Sequence, residues 1–235
     1  MIKYVFFDLD GTLLPMNLEN FSLGYTKLLC IEFAKFGYEA EKVGKALMLG
    51  MKKMISNDGS KTNEERFWEG FKELFNEDVS RHQEEMDQFY LSRFNDLKST
   101  CPINPLSKKL VDYLKEKEIP LVLATNPLFP EIATEQRIKW AGLNKEDFIL
   151  ITTYEYERFC KPNLDYYRSI VERLGCQYEE CLMVGNDVDE DMIAANLGMK
   201  VFLLTDCLIN RHQKNIEEYP HGNINDLMKF LEKEI

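Results

Sequence analysis

The six cysteines (Cys30, Cys101, Cys160, Cys176, Cys181 and Cys207) include no Cys-x-x-Cys pair. Thiols scattered in this way indicate neither a disulfide framework nor a zinc site, and a reducing cytoplasm is their expected setting. No apolar run approaches the length of a bilayer span. The start, Met1-Ile2-Lys3, passes straight into a strand without an apolar signal core, which fits a cytoplasmic expectation. Basic charge is also short, with 29 Lys and Arg against 40 Asp and Glu and a formal charge of −11. That sign is wrong for neutralising a nucleic-acid backbone and unfavourable for an anionic membrane surface, so neither partner is expected. A small phosphorylated ligand would need local positive charge, which the balance conceals. The three histidines, His82, His212 and His221, fall in no motif and are read as surface or structural residues.

What the chain does contain is enough for a substantial core: 235 residues, 45% of them hydrophobic and 12% aromatic, fitting one large domain or two smaller ones. From about Asn17 to Thr100 the apolar residues recur at helical spacing, with Phe21, Tyr25, Leu28, Leu29 and Phe33 on one stripe. Thr62-x-x-Glu65 is a capping box opening a helix whose apolar face is Phe67, Trp68, Phe71, Leu74 and Phe75. After Pro102 and Pro105 the pattern becomes strand and helix in alternation. Strands are expected at 120–125, 148–151, 181–184 and 201–204, and helices from Leu106, over 130–140, over 163–174 and over 188–197. A closing helix is expected over 225–234. The alternation implies a parallel sheet covered on both faces, the α/β doubly wound class, with an all-helical insert after the first strand.

Such sheets gather their ligands at the carboxyl edge of the strands. The first strand, Tyr4-Val5-Phe6-Phe7, delivers Asp8 and Asp10 there, followed by Gly11 and Thr12. Water-excluded carboxylates are costly and need a cation, hydrogen bonds or a use. Asp10-Gly11 between apolar residues is also a hairpin signal, which the rest of the chain must decide. A later strand delivers Thr125-Asn126, and another Gly185-Asn186-Asp187 with Asp189, Glu190 and Asp191 beyond it. The alternating acids are not an EF-hand, because Met192 stands where that loop turns on Gly and Gly198 where its bidentate Glu belongs. Asp187 also reads as a helix N-cap, yet the crowding of carboxylates at one helix start points to a metal or cationic partner. Lys161, before Pro162 and Asn163, reads alone as a solvated surface lysine.

Taken together, Asp8-x-Asp10-Gly11-Thr12, Thr125, Lys161-Pro162 and Gly185-x-Asp187-x-x-x-Asp191 resemble the four motifs of the haloacid dehalogenase superfamily of phosphohydrolases, in order and in strand context. The lysine motif, Phe159-Cys160-Lys161-Pro162, departs from the family in lacking the glycine that often precedes the lysine. The resemblance implies a Rossmann-like core formed by residues 1–15 and 103–235, with a helical cap of the subclass I type over 16–102. It implies Asp8 as a nucleophile forming an aspartyl phosphate, Asp10 as general acid and base, and Thr125, Asn126 and Lys161 as phosphate-binding groups. It implies Mg²⁺ on the Asp8 carboxylate, the Asp10 main-chain carbonyl and Asp187, with Asp191 orienting waters or Lys161. Asp10 further argues for phosphate over halide chemistry, since a halide leaves without a proton.

The expected activity is therefore Mg²⁺-dependent hydrolysis of a small phosphorylated metabolite. The alternatives are a phosphomutase similar to β-phosphoglucomutase and a non-catalytic regulatory module. Within the cap, the aromatic stripes are expected to be core, and loop residues such as Asn57, Asp58 and Lys61 to select the substrate.

Overall fold

The computed structural model describes residues 1–235. Six strands form one parallel sheet: β1 (Tyr4–Phe7), β2 (Leu121–Leu123), β3 (Leu150–Ile151), β4 (Cys181–Gly185), β5 (Lys200–Leu204) and β6 (His221–Gly222). Their spatial order is β3-β2-β1-β4-β5-β6, and every pairing is parallel. The chain winds outward through β2 and β3, then crosses back to β4 on the other side of β1. The order therefore reverses between β1 and β4, the place where doubly wound sheets open a ligand crevice. Because β1 pairs only with parallel neighbours, the Asp10-Gly11 hairpin reading is rejected.

Side-chain alternation along the strands divides the core into two layers. Val5, Phe7, Leu121, Leu123, Leu182 and Val184 face one way. They meet Leu110 and Leu114 of α5 (Pro105–Glu116), Ile138 and Trp140 of α6 (Glu131–Trp140) and Leu227 and Leu231 of α8 (Ile224–Glu234). Phe6, Val122, Met183 and Val201 face the other way, against Tyr166, Tyr167 and Ile170 of α7 (Leu164–Leu174).

Between β1 and α5 the chain is helical throughout: α1 (Leu18–Ala34), α2 (Ala40–Ile55), α3 (Asn63–Phe75) and α4 (Gln83–Leu91), with 3₁₀ turns at Val79–His82 and Arg93–Thr100. The capping box at Thr62 and Glu65 is present. The insert is seated on the sheet layer rather than hung from it. Phe94 stacks on Trp140 with ring centroids 4.9 Å apart, and Trp140 Nε1 donates to Asn95 Oδ1 at 2.8 Å. At the other end, the amides of Asn63 and Glu64 donate to the carbonyls of Glu157 and Tyr154 at 2.8 and 2.9 Å. All six cysteines are free, and no helix is long and apolar enough to cross a membrane.

Several boundaries differ from the periodicity reading. The helix expected over 188–197 is a run of turns ending in a 3₁₀ segment, Met192–Leu197. Asp187 Oδ1 accepts from the amides of Asp189 and Glu190, and Asp191 Oδ2 from that of Asp187, so the backbone coils tightly around its own carboxylates. The strand expected from Phe148 begins at Leu150, because Phe148 caps the 3₁₀ turn Lys145–Asp147. Two-residue β6 is too short for a period-two pattern to reveal.

Candidate active site

Asp8 leaves β1 with its amide bonded to the Val184 carbonyl of β4 at 2.9 Å, which sets it at the sheet's switch point. The turn beyond it closes through Gly11 N to Leu14 O (2.8 Å) and Leu14 N to Leu9 O (2.9 Å). Gly11 is needed twice over: its φ is +88°, and a Cβ there would lie 2.3 Å from Asn186 Nδ2. This close approach lets Thr12 Oγ1 reach both Asp8 Oδ2 (3.3 Å) and Asn186 Oδ1 (3.1 Å).

Lys161, only 1% exposed, bridges two carboxylates that follow neighbouring strands, Asp8 after β1 and Asp191 beyond β4. Its Nζ donates to Asp8 Oδ1 at 3.0 Å and to Asp191 Oδ1 at 2.6 Å. Burial by itself would discharge this lysine, but Asp191 and Asp8 outweigh it and hold its ammonium well above the usual lysine range. Asp191 comes this close because Gly185 has no side chain: a Cβ there would sit 2.1 Å from Asp191 Oδ2. Burial raises the Asp191 carboxyl, with Lys161 opposing the rise. The glycine missing before Lys161 does no harm to its placement, since Asn126 Oδ1 accepts from the Lys161 amide at 3.2 Å.

The acidic run of the fourth motif sorts itself by direction. Asp187 and Asp191 turn inward, 5% and 1% exposed. Asp189 turns to Lys214 (2.6 Å) and His212 (2.8 Å), away from the site, so that His212 is a structural partner. Thr125 lines the cavity beside Asp8, and its main-chain carbonyl is held by the hydroxyls of Thr152 and Tyr166 at 2.7 and 2.9 Å.

Four participants lay outside the motif reading or without a role in it. Thr12 and Asn186 orient Asp8 as above. Glu190 accepts from Asn126 Nδ2 at 2.9 Å, and burial raises its carboxyl. Arg137, fully buried on α6, forms an ion pair with Asp10 Oδ2, donates to Thr134 Oγ1 at 3.2 Å and lies 4.3 Å over the Phe129 ring. Burial raises Asp10 to about 6 against the pull of Arg137, with Asp8 adding to the rise. The sole sequence signal for Arg137 is its spacing from Thr134 and Ala141 along one helical face, which periodicity reads as core.

The oxygens suit a hard cation. No three His, Cys, Asp or Glu side chains converge into a cage of their own. The Asp8 and Asp187 carboxylates and the Asp10 main-chain carbonyl are oxygen donors, the ligand type that Mg²⁺ takes along with water and phosphate. The Arg211 guanidinium rests 2.5 Å from Asp187 Oδ2, so a cation already sits against this carboxylate. Asp10 Oδ1 is buried without a partner.

A cavity of about 320 Å³ begins at Asp8, Asp10, Asp187 and Asp191 and runs into the helical insert. The aromatic stripes of the insert belong to the buried core, as expected, and part of each also borders this space. Phe21, Tyr25, Leu29 and Phe33 of the first stripe and Phe67 and Trp68 of the second line the cavity, while Asn57, Asp58 and Lys61 do not. Those loop residues bind the insert together: Asn57 Nδ2 donates to Asn63 Oδ1 and the Lys61 carbonyl, both at 2.9 Å, and Arg66 pairs with Asp58 at 2.7 Å. Helical periodicity identifies an apolar face but not whether that face also borders a cavity.

Comparison with known proteins agrees with this architecture. The sequence model described as haloacid dehalogenase-like hydrolase matches residues 2–198. A 69-residue stretch is 32% identical to glyceraldehyde 3-phosphate phosphatase of Methanothermobacter thermautotrophicus, spanning 29% of this chain and 30% of that protein. The fold resembles that of a HAD phosphatase from Thermococcus onnurineus, with TM-score 0.60 and 20% identity over 98% of each chain. It also resembles the HAD-hydrolase YfnB of Bacillus subtilis, solved bound to magnesium, with TM-score 0.56 and 17% identity over 98% of each chain.

Proposed function

We propose that this chain, which belongs to the haloacid dehalogenase-like hydrolase family, is a Mg²⁺-dependent phosphatase that hydrolyses a small phosphorylated metabolite through an aspartyl phosphate. The observation that carries the reading is the buried ammonium of Lys161, bonded to Asp8 and Asp191, two carboxylates that line a cavity together with Asp10, Thr125 and Asp187. A carboxylate can approach a phosphate dianion only where cations offset the repulsion, and this cluster supplies one fixed cation and an oxygen set for another.

In this reading the Asp8 carboxylate attacks phosphorus, forming an acyl phosphate as the ester P–O bond breaks. Asp10 gives its proton to the departing alkoxide, then takes one from the water that cleaves the acyl phosphate, restoring Asp8 and releasing phosphate. A carboxyl held near 6 is poised to do both near neutral pH. Thr12 and Lys161 fix the two Asp8 oxygens. Asp8, Asp187 and the Asp10 carbonyl would hold Mg²⁺, which supplies charge neutralisation to the phosphoryl oxygens when bound. Asp191 keeps Lys161 in place, and Thr125 and Asn126 border the phosphate position.

Asp10 separates this activity from halide displacement, where the leaving group takes no proton. Residues 1–15 and 103–235 would form the catalytic core and 16–102 the cap that excludes water above it. The test is phosphate release across several dozen phosphometabolites with and without Mg²⁺. Metal-dependent release from a subset is expected, and no release from any would overturn the reading.

A further inference from the structure

The cavity that opens on the catalytic carboxylates is walled, beyond them, by Phe21, Phe67, Trp68, Met86, Phe129 and Tyr154. It is one continuous space, so whatever ester places its phosphoryl group at Asp8 must lay its alcohol half along these rings. We propose that the substrate is the phosphate monoester of an apolar alcohol, not of a sugar or a hydroxy acid. This deepens the phosphatase reading and rests on it.

Several polar groups of the wall support the choice because they are already engaged. The hydroxyls of Tyr25 and Tyr90 bond to each other at 2.8 Å. Gln83 turns its amide to Glu64 at 3.5 Å. Asn126 is taken by Glu190. A site that recognises sugar hydroxyls presents unpaired donors and acceptors, and loses much of its binding when these go unmet. Beyond the catalytic carboxylates, the one unpaired polar group buried in the wall is Trp68 Nε1, while the hydroxyls of Ser22 and Thr26 and the Asp87 carboxylate line the cavity from exposed or half-buried positions. Asp87, also in the wall, would repel a second anionic group. That weighs against bisphosphates and phosphorylated carboxylic acids.

The experiment is a chain-length series. With n-alkyl phosphates from methyl to decyl at fixed Mg²⁺, kcat/KM should rise about fourfold per added methylene, the burial free energy of one methylene expressed as a rate ratio, until the cavity is full. A hexose monophosphate and a phosphorylated hydroxy acid should fall below the longer esters. Met51→Trp, which fills part of the cavity from α2, should move the optimum to shorter chains. Binding of the matching n-alkylphosphonates to the unaltered protein, followed by tryptophan fluorescence, gives a readout that needs no turnover. If the phosphatase reading alone is wrong, no ester is cleaved but phosphonate affinity still climbs with chain length. Affinity and kcat/KM that are flat along the series, or a preference for the hexose ester, would overturn the apolar assignment.

Discussion

Lys161 donates to both Asp8 and Asp191, so a change at either carboxylate alters a shared ion cluster rather than one contact. Asp8→Asn keeps an acceptor for Lys161 but removes the attacking charge. Turnover should fall by roughly a thousandfold or more while the thermal midpoint stays close to that of the parent, since loss of a covalent nucleophile acts on the transition state. A variant that keeps a tenth of the rate would rule out the covalent role. Arg211 offers a second, metal-specific check. Its guanidinium competes for Asp187 from a half-exposed position, so its contribution is small. Arg211→Ala should lower the Mg²⁺ concentration at half-maximal thermal shift by about two- to fivefold. An unchanged or raised concentration would mean that Asp187 does not take the ion.

At the scale of elements, α6 and the start of α3 carry consequences that no motif announces. Arg137 brings the charge of α6 to Asp10, and truncating one partner of a buried pair leaves the other uncompensated. Arg137→Met should cost about 3 kcal/mol in chemical denaturation. Combined with Asp10→Asn, the double variant should lose at least about 1 kcal/mol less than the sum of the singles; strict additivity would show that the two do not interact. Asn63, fully buried, accepts from Asn57 and donates toward the carbonyls of Pro127 and Phe159 at 3.4 and 3.5 Å. Asn63→Ala should cost about 2 kcal/mol by leaving those partners unmet. It should also speed hydrogen exchange in residues 56–66 and 154–160 before the sheet strands respond, and uniform exchange throughout would refute the docking role. α7 was legible because Asn163 caps it and Gly175 ends it. The 3₁₀ segment after Asp187 was not, because its shape follows from carboxylate-to-amide bonds invisible to periodicity.

For the whole molecule, one buried apolar cluster runs from the sheet through α5, α6 and α8 into the insert. Insert and sheet should therefore unfold together, giving a single calorimetric transition whose van't Hoff and calorimetric enthalpies agree. Two resolved transitions would show that residues 16–102 fold as an independent unit. The metal dependence of the proposed activity belongs to this scale as well: EDTA should abolish phosphate release and added Mg²⁺ restore it. Full activity in EDTA would remove the ion from the mechanism.

What the sequence determined by itself was whatever is local along the chain. A continuous apolar run ending at Asp8, another leading to Asp187, and capped helices between strands specify a doubly wound parallel sheet and the edge at which its polar residues emerge, because run length and strand-end position are near-neighbour properties. Tertiary structure alone decided which of those residues meet. Lys161 reaches Asp8 and Asp191 across 153 and 30 residues of chain, Arg137 reaches Asp10 across 127, and the buried aromatic stripes of α1 and α3 border a cavity as well as filling the core. Such contacts depend on how layers pack, and a side chain's own neighbours in sequence carry no record of what stands opposite it.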